Sequence, residues 1–149
     1  MTTQEITALA HGIYDAFNRR DFAYTAAAST DDVEVLNVPT GQVFRGKEEL
    51  IGFLQSWATA FPDGTIEVAN VIAGENGAAA EFIARGTQTG PLVGPMGTIP
   101  PTGRAVEVRF IDAWEMRGDK IARGRTYYDL MTMLGQLGVL GVPAEAGAS

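Results

Sequence analysis

The residues with the clearest capacity for chemistry are two carboxylates, Asp112 and Asp129, in the stretch RAVEVRFIDAWEMRGDKIARGRTYYD that runs from Arg104 to Asp129. Val106, Val108, Phe110, Trp114 and Met116 alternate as one face of a strand, and Asp112 falls in their phase. The spacing thus predicts a carboxylate on a core face. After a tight polar turn, Ile121, Arg123, Arg125, Tyr127 and Asp129 share the phase of a returning strand. That phase puts a second acid beside Tyr127 and Arg125, facing the same enclosed space. Burying an ionised carboxylate without partners costs several kcal/mol, so such a residue is a neutral acid, half of a hydrogen-bonded pair, or a catalyst that transfers protons. Purely structural roles are also open to both: Asp112 can answer Arg109, Arg123 or a backbone amide, and Asp129 can cap a following helix.

Composition narrows the chemistry. The chain has 149 residues, 46% of them hydrophobic, which suits one globular domain with a single core. A net charge of -7 and an isoelectric point near 4.6 repel nucleic acid phosphate and anionic membrane, and no Lys/Arg run offsets this. There is no cysteine and one histidine, His11. Disulfides, thiol catalysis and zinc clusters are therefore not expected, and neither is a Ser-His-Asp triad that does not use His11. No metal and no cofactor is expected, which leaves carboxylates, phenols, amides and arginines. No signal-peptide pattern opens the sequence and no apolar stretch approaches membrane-spanning length, so a cytoplasmic protein is expected.

The elements that must position these groups are legible from periodicity. Thr2-Thr3-Gln4-Glu5 reads as a capping box ahead of Ile6, Leu9, Ala10, Ile13, Tyr14 and Phe17 at helical spacing, with the Tyr14 hydroxyl within reach of a cavity. Asp21 can cap a short second helix that Ser29-Thr30-Asp31-Asp32 breaks. Val33 to Val38 reads as a strand of undecided facing, and Asn37 brings a neutral amide inside if its face is the core face. Lys47 opens a third helix carrying Leu50, Ile51, Leu54, Trp57, Ala58 and Phe61, stopped by Pro62-Asp63-Gly64. From Thr65 the period is strand-like, with Asn76-Gly77 as a hairpin turn and Ala78 to Thr89 returning. Gly90 to Gly103, rich in glycine and proline, reads as an irregular loop that covers the pocket mouth. LMTMLGQLGVLGVP after Asp129 suits a last helix, with a domain over 1–143 and a frayed tail over 144–149. Apolar Val71, Ile83, Met131, Met133 and Leu134 need cover, which predicts a homodimer.

Three helices and a run of antiparallel strands argue for an α+β fold: a curved antiparallel sheet wrapped around three helices of the N-terminal half, cone-shaped, with an internal pocket. GTQTGPL at 86–92, IPPTGRAVE at 99–107, GDKIARGRTYYD at 118–129 and LGQLG at 134–138 resemble the nuclear transport factor 2-like superfamily and, within it, the SnoaL-like polyketide cyclases. The resemblance implies a cofactor-free cyclase that closes a ring by intramolecular aldol condensation on a small hydrophobic carbonyl compound, with Asp129 as acid/base. Gln88 and Asn37 are then candidate neutral donors to the ketone oxygen, and a protonated Asp112 a third. Tyr14, Trp57, Phe110, Trp114, Arg125 and Tyr127 are the expected substrate contacts. Sister activities are also implied by the fold. Limonene-type epoxide hydrolases need an acid where Thr87 stands, and ketosteroid-isomerase-like enzymes place a base aspartate near Asn37. A non-catalytic binding module is the reading from a different class.

Overall fold

Helix α1 (Thr3–Asn18) starts where the sequence supplies its cap: Thr2 Oγ1 accepts from the Glu5 amide and Glu5 Oε1 accepts from the Thr2 amide. This computed structural model describes residues 1–140. The expected domain end at 143 and tail over 144–149 lie outside the described residues. Ile6, Ala10, Ile13 and Tyr14 form the buried stripe of α1, and His11 is exposed. Arg20 follows with a left-handed backbone (φ 62°), a strained conformation for a side chain of its size. Its guanidinium donates to the carbonyls of Phe17, Pro62 and Gly64, which holds the strained turn and ties α1 to the 61–64 turn. Asp21 caps α2 (Phe22–Ala27) as the sequence predicts.

Strand β1 (Ser29–Asn37) starts earlier than the sequence suggests, because Ser29 to Asp32, which follow the end of α2 as expected, already belong to the strand. It turns into a short β2 (Gln42–Arg45), which the sequence reading does not anticipate, and then into α3 (Gly46–Ala60). The strands β3 (Thr65–Gly74), β4 (Gly77–Thr87), β7 (Ala105–Arg117) and β8 (Lys120–Tyr128) follow, and α4 (Leu130–Leu137) ends the described fold. Between β4 and β7 lie β5 (Leu92–Gly94) and β6 (Gly97–Ile99), a small two-stranded hairpin. The 90–103 segment is therefore not irregular throughout, which corrects the expectation drawn from its glycines and prolines. Gly90 sits at its root, its amide bound to the Ala60 carbonyl, where a Cβ would stand 1.9 Å from the Thr59 carbonyl oxygen.

The main sheet has the order β2-β1-β8-β7-β4-β3. All neighbours are antiparallel except β1 and β8, so the sheet is mixed and not wholly antiparallel. Periodicity reports the faces of a strand but not its direction relative to a partner some ninety residues away, which is why this pair escapes the sequence. Bulges interrupt the register in β1 before Glu34, in β3 between Val68 and Asn70, and in β8 at Ala122. Each adds local twist, and together they curl the sheet around α1 and α3. The core lies in that concavity, built from Ile6, Ile13, Leu50, Phe53, Phe82, Val108 and Phe110 among others.

Candidate active site

The alternation of β7 is as the sequence predicts: Val106, Val108, Phe110 and Trp114 are buried, and Asp112 sits among them on the concave face. Its register partners are Ala80 on β4 and Thr126 on β8, and Thr126 in turn pairs with Asn37 on β1. Asp112, Thr126 and Asn37 thus form one polar row across three adjacent strands. Facing Asp112 and Thr126, but not Asn37, is a cavity of about 140 Å³, lined mostly by apolar and aromatic side chains, among them Tyr14, Phe53, Trp57, Phe82, Phe110 and Trp114, with Arg85 and Arg125 at its border. Asp112 is the one acidic residue in this lining. The space takes about one benzene-sized ring.

The Tyr14 hydroxyl donates to Asp112 Oδ2 at 2.7 Å, and the Thr126 hydroxyl stands beside the same carboxylate. Loss of water around the carboxylate raises its pKa to about 6, and the Tyr14 and Thr126 hydroxyls hold it from rising further by favouring the ionised form. Burial, and then the adjacent Asp112 charge, push the Tyr14 phenol well above its ordinary value, so it stays a neutral donor. Its ring is fixed by Phe82 at 4.7 Å and Trp114 at 5.9 Å between centroids. A carboxylate poised near neutral pH at the wall of a largely apolar cavity is suited to accept a proton. Among the described residues no group of three His, Cys, Asp or Glu side chains offers a metal-ligand set.

Asp129 does not face this cavity. The bulge at Ala122 shifts the phase of β8, so that after Ile121 the inward residues are Gly124, Thr126 and Tyr128. Arg123, Tyr127 and Asp129 turn outward, while half-buried Arg125 borders the cavity, as expected, and pairs with Glu115 at 2.5 Å. Asp129 is exposed and caps α4, with Oδ1 accepting from the Thr132 amide at 3.2 Å and Oδ2 from the Thr132 hydroxyl at 2.8 Å. These bonds hold its pKa below the ordinary carboxylate value. The expectation that two acids and Tyr127 share one enclosed space is corrected accordingly. Asp129→Asn is expected to leave activity and melting temperature nearly unchanged, and Asp129→Ala to lower the melting temperature by about 3 °C, both read by thermal unfolding beside a turnover assay.

Gln88 is fully buried but points away from the cavity. Its Nε2 donates toward the carbonyls of Gly90, Ile99 and Pro100 at 3.0–3.2 Å, and its Oε1 accepts from the Thr102 amide and hydroxyl. Every polar atom of the side chain is engaged in pinning the 90–103 segment, so none is left to polarise a ketone.

Asn37 is inward and buried, which settles the facing of β1. Its amide lies beside the Tyr128 phenol, and Oδ1 is buried without a partner. Its free atom is thus an acceptor rather than the donor the sequence suggests. Trp57, Phe110 and Trp114 line the cavity as expected, with Trp57 edge-on to Phe110 at 5.8 Å. Tyr128 stacks on Phe110 at 4.6 Å and its phenol is raised by burial. Tyr128 and Thr126 are the residues sequence reasoning missed, and only placing the bulge at Ala122 would have found them.

The family model described as SnoaL-like polyketide cyclase matches residues 8–137. No curated protein sequence matches the chain significantly. Among solved structures, wild-type IdmH from Streptomyces antibioticus, described as a candidate polyketide cyclase, is 30% identical, with 89% of this chain and 98% of that chain covered at a TM-score of 0.72. TsrD from Streptomyces laurentii is 24% identical, covering 94% and 99%, at a TM-score of 0.81. AclR from Streptomyces galilaeus, described as a candidate hydroxylase, is 22% identical over 99% and 95%, at 0.79. The last two likenesses speak for the cone-shaped fold alone. With the model match spanning nearly all of the described fold, the chain belongs to the SnoaL-like polyketide cyclase family.

Proposed function

We propose that this protein is a cofactor-independent acid–base catalyst that closes a ring in a small ketone by intramolecular aldol addition, with Asp112 as the base. The observation that carries this reading is the single carboxylate of a largely apolar cavity, held by Tyr14 at 2.7 Å and brought to a pKa of about 6. In this reading Asp112 takes the proton α to one carbonyl of the substrate. The resulting enolate carbon bonds to a second carbonyl carbon of the same molecule, and the proton returns to the new alkoxide. Net, the product is an isomer of the substrate. Apolar walls raise the basicity of the carboxylate and keep water from quenching the enolate. One acid in the cavity also favours proton transfer over epoxide opening, which needs a second acid; Thr87, where that acid would stand, uses its amide to bind Asp63 at 2.7 Å.

The test is to incubate the protein with linear β-polyketones without added cofactor and follow products by mass spectrometry. A product of unchanged mass, or lighter by one water after dehydration, formed by wild type and not by Asp112→Asn, is expected. Equal product from both proteins contradicts the assignment. The reading includes a homodimer, although Met133 is buried and Val71 packs against the core; of the residues expected to need cover Met131 is the exposed one, and Ile72, Ile111 and Tyr127 on the outer sheet face support the proposal instead. Light scattering at micromolar concentration is expected to return twice the 15.8 kDa chain mass, and a monomer contradicts this.

A further inference from the structure

Two glycines line the cavity, Gly64 and Gly124, and they stand there for different reasons. A Cβ on Gly64 would lie 2.8 Å from the Phe61 carbonyl oxygen, so the 61–64 turn requires its absence. Gly124 has no such requirement. It lies inside β8, paired with Val35 on β1 and Trp114 on β7, in ordinary strand backbone without a positive φ. Outside its chain neighbours, a Cβ there would meet one atom within 4 Å, Val35 Cγ2 at 3.5 Å, which is ordinary van der Waals contact. The Trp114 indole on the opposed strand does not cover the place either, since none of its atoms comes within 4 Å of it. Glycine inside a central strand gives up stability, because it packs no side chain and loses more backbone freedom on folding than any other residue. Neither conformation nor packing calls for it here, which leaves the space it opens as its use. That space is a notch in the cavity wall, floored by main chain and flanked by Val35 and Trp114.

The position of the notch limits the ligand. Asp112 and Trp114 are successive inward residues of β7, and their partners Thr126 and Gly124 are successive inward residues of β8. The notch therefore lies one inward step, roughly 6.6 Å, along the sheet from the carboxylate and one strand across. A six-membered ring with one edge at Asp112 points its opposite edge toward the notch, and one or two carbon atoms beyond that edge fill it. Val35 and Trp114 make the sides apolar, which suits an alkyl group.

We infer that Gly124 is a specificity-determining residue, admitting a short alkyl branch carried across the ring from the carbon that Asp112 deprotonates. The inference rests on the reading of this cavity as the substrate site, and it names the class of ketone that fills it: one whose nascent six-membered ring bears a methyl or ethyl group on its far side. A ketone without that branch leaves the notch empty.

Binding of product-shaped rings tests this without turnover. Cyclohexanone, 2-methylcyclohexanone and 3-methylcyclohexanone are titrated into wild type and Gly124→Ala, with affinities read from amide NMR shifts. In the 3-methyl compound the methyl group stands opposite one α carbon, whereas in the 2-methyl compound it is attached to one. Wild type is expected to bind 3-methylcyclohexanone about fourfold more tightly than either of the others, the worth of one buried methyl group. Gly124→Ala is expected to lose that preference and keep the wild-type affinity for cyclohexanone. Its melting temperature is expected to rise by about 2–4 °C, because alanine restricts the unfolded chain and fills part of the notch. That rise separates a glycine kept for a ligand from one kept for the fold. Equal affinity of wild type for the three ketones, a 3-methyl preference that survives in Gly124→Ala, or a variant less stable than wild type overturns the inference. Failure of the underlying reading looks different: none of the three ketones then binds wild type, which overturns both, whereas a missing preference among ketones that do bind overturns the inference alone.

Discussion

Asp112→Asn is expected to lower turnover by about 10²- to 10⁴-fold, the usual worth of a positioned general base, while the variant stays folded and still binds ligand. The substitution keeps the shape of the side chain and its acceptor toward Tyr14, 2.7 Å away, but removes the lone pair basic enough to take a proton. Activity of the wild type is expected to rise with pH through an inflection near 6, where the carboxylate becomes ionised. Stability moves the other way. A folded-state pKa of about 6 lies above the unfolded value, so this group favours folding fully below the unfolded pKa, and that contribution is lost as pH rises through 6. The whole effect is roughly 3 kcal/mol, of which about 2 kcal/mol falls between pH 4.5 and 7.5. Denaturant unfolding at the two pH values is expected to show Asp112→Asn gaining on wild type by about that amount at the higher pH. A buried carboxylate of this kind costs stability at the pH where it is ionised, and a mutant both inactive and relatively more stable at that pH is the expected signature of a base at Asp112.

The second large effect is expected at Gln88, and it concerns the fold. Gln88→Ala leaves the carbonyls of Gly90, Ile99 and Pro100 and the Thr102 amide without the partner that joins them. Stranded buried groups of this kind make a loss of about 2–4 kcal/mol the expected result, together with faster proteolysis between Gly90 and Gly103. Gln88→Glu should be no better, because it turns a carboxylate toward three carbonyl oxygens. At temperatures where the variant is folded, turnover is expected to stay within a few-fold of wild type. A large loss of turnover at unchanged stability would instead make Gln88 the ketone's donor.

Much of this architecture was legible in residue order. The capping box at Thr2, the stripe of α1, the Asn76-Gly77 hairpin and the strict alternation through β7 are local signals, and Asp112 could be placed on the core face from its neighbours alone. What escaped has a common cause. A single bulge residue, Ala122, reverses the facing of everything after it in β8, and so exchanged Tyr127 and Asp129 for Thr126 and Tyr128. Bulges leave no reliable mark on composition, so a period-2 reading carried past one is wrong by one residue at every later position. The partnership of Tyr14 with Asp112 joins residues 98 positions apart and is fixed only by how α1 crosses the sheet. Gln88 misled for a different reason. A buried amide reads the same in a sequence whether it serves a substrate or the backbone, and here the fourteen residues after it consume all of its hydrogen bonds.

Whether Asp112, and not Asp129, removes a proton α to a carbonyl can be tested without knowing the natural substrate. In D₂O, a small monocyclic ketone such as cyclohexanone exchanges its α hydrogens for deuterium when a base removes them, and NMR follows the loss of signal directly. Wild type and Asp129→Asn are expected to accelerate this exchange to the same extent, with Asp112→Asn reduced to the rate of buffer alone. Exchange that persists in Asp112→Asn, or disappears in Asp129→Asn, would contradict the account.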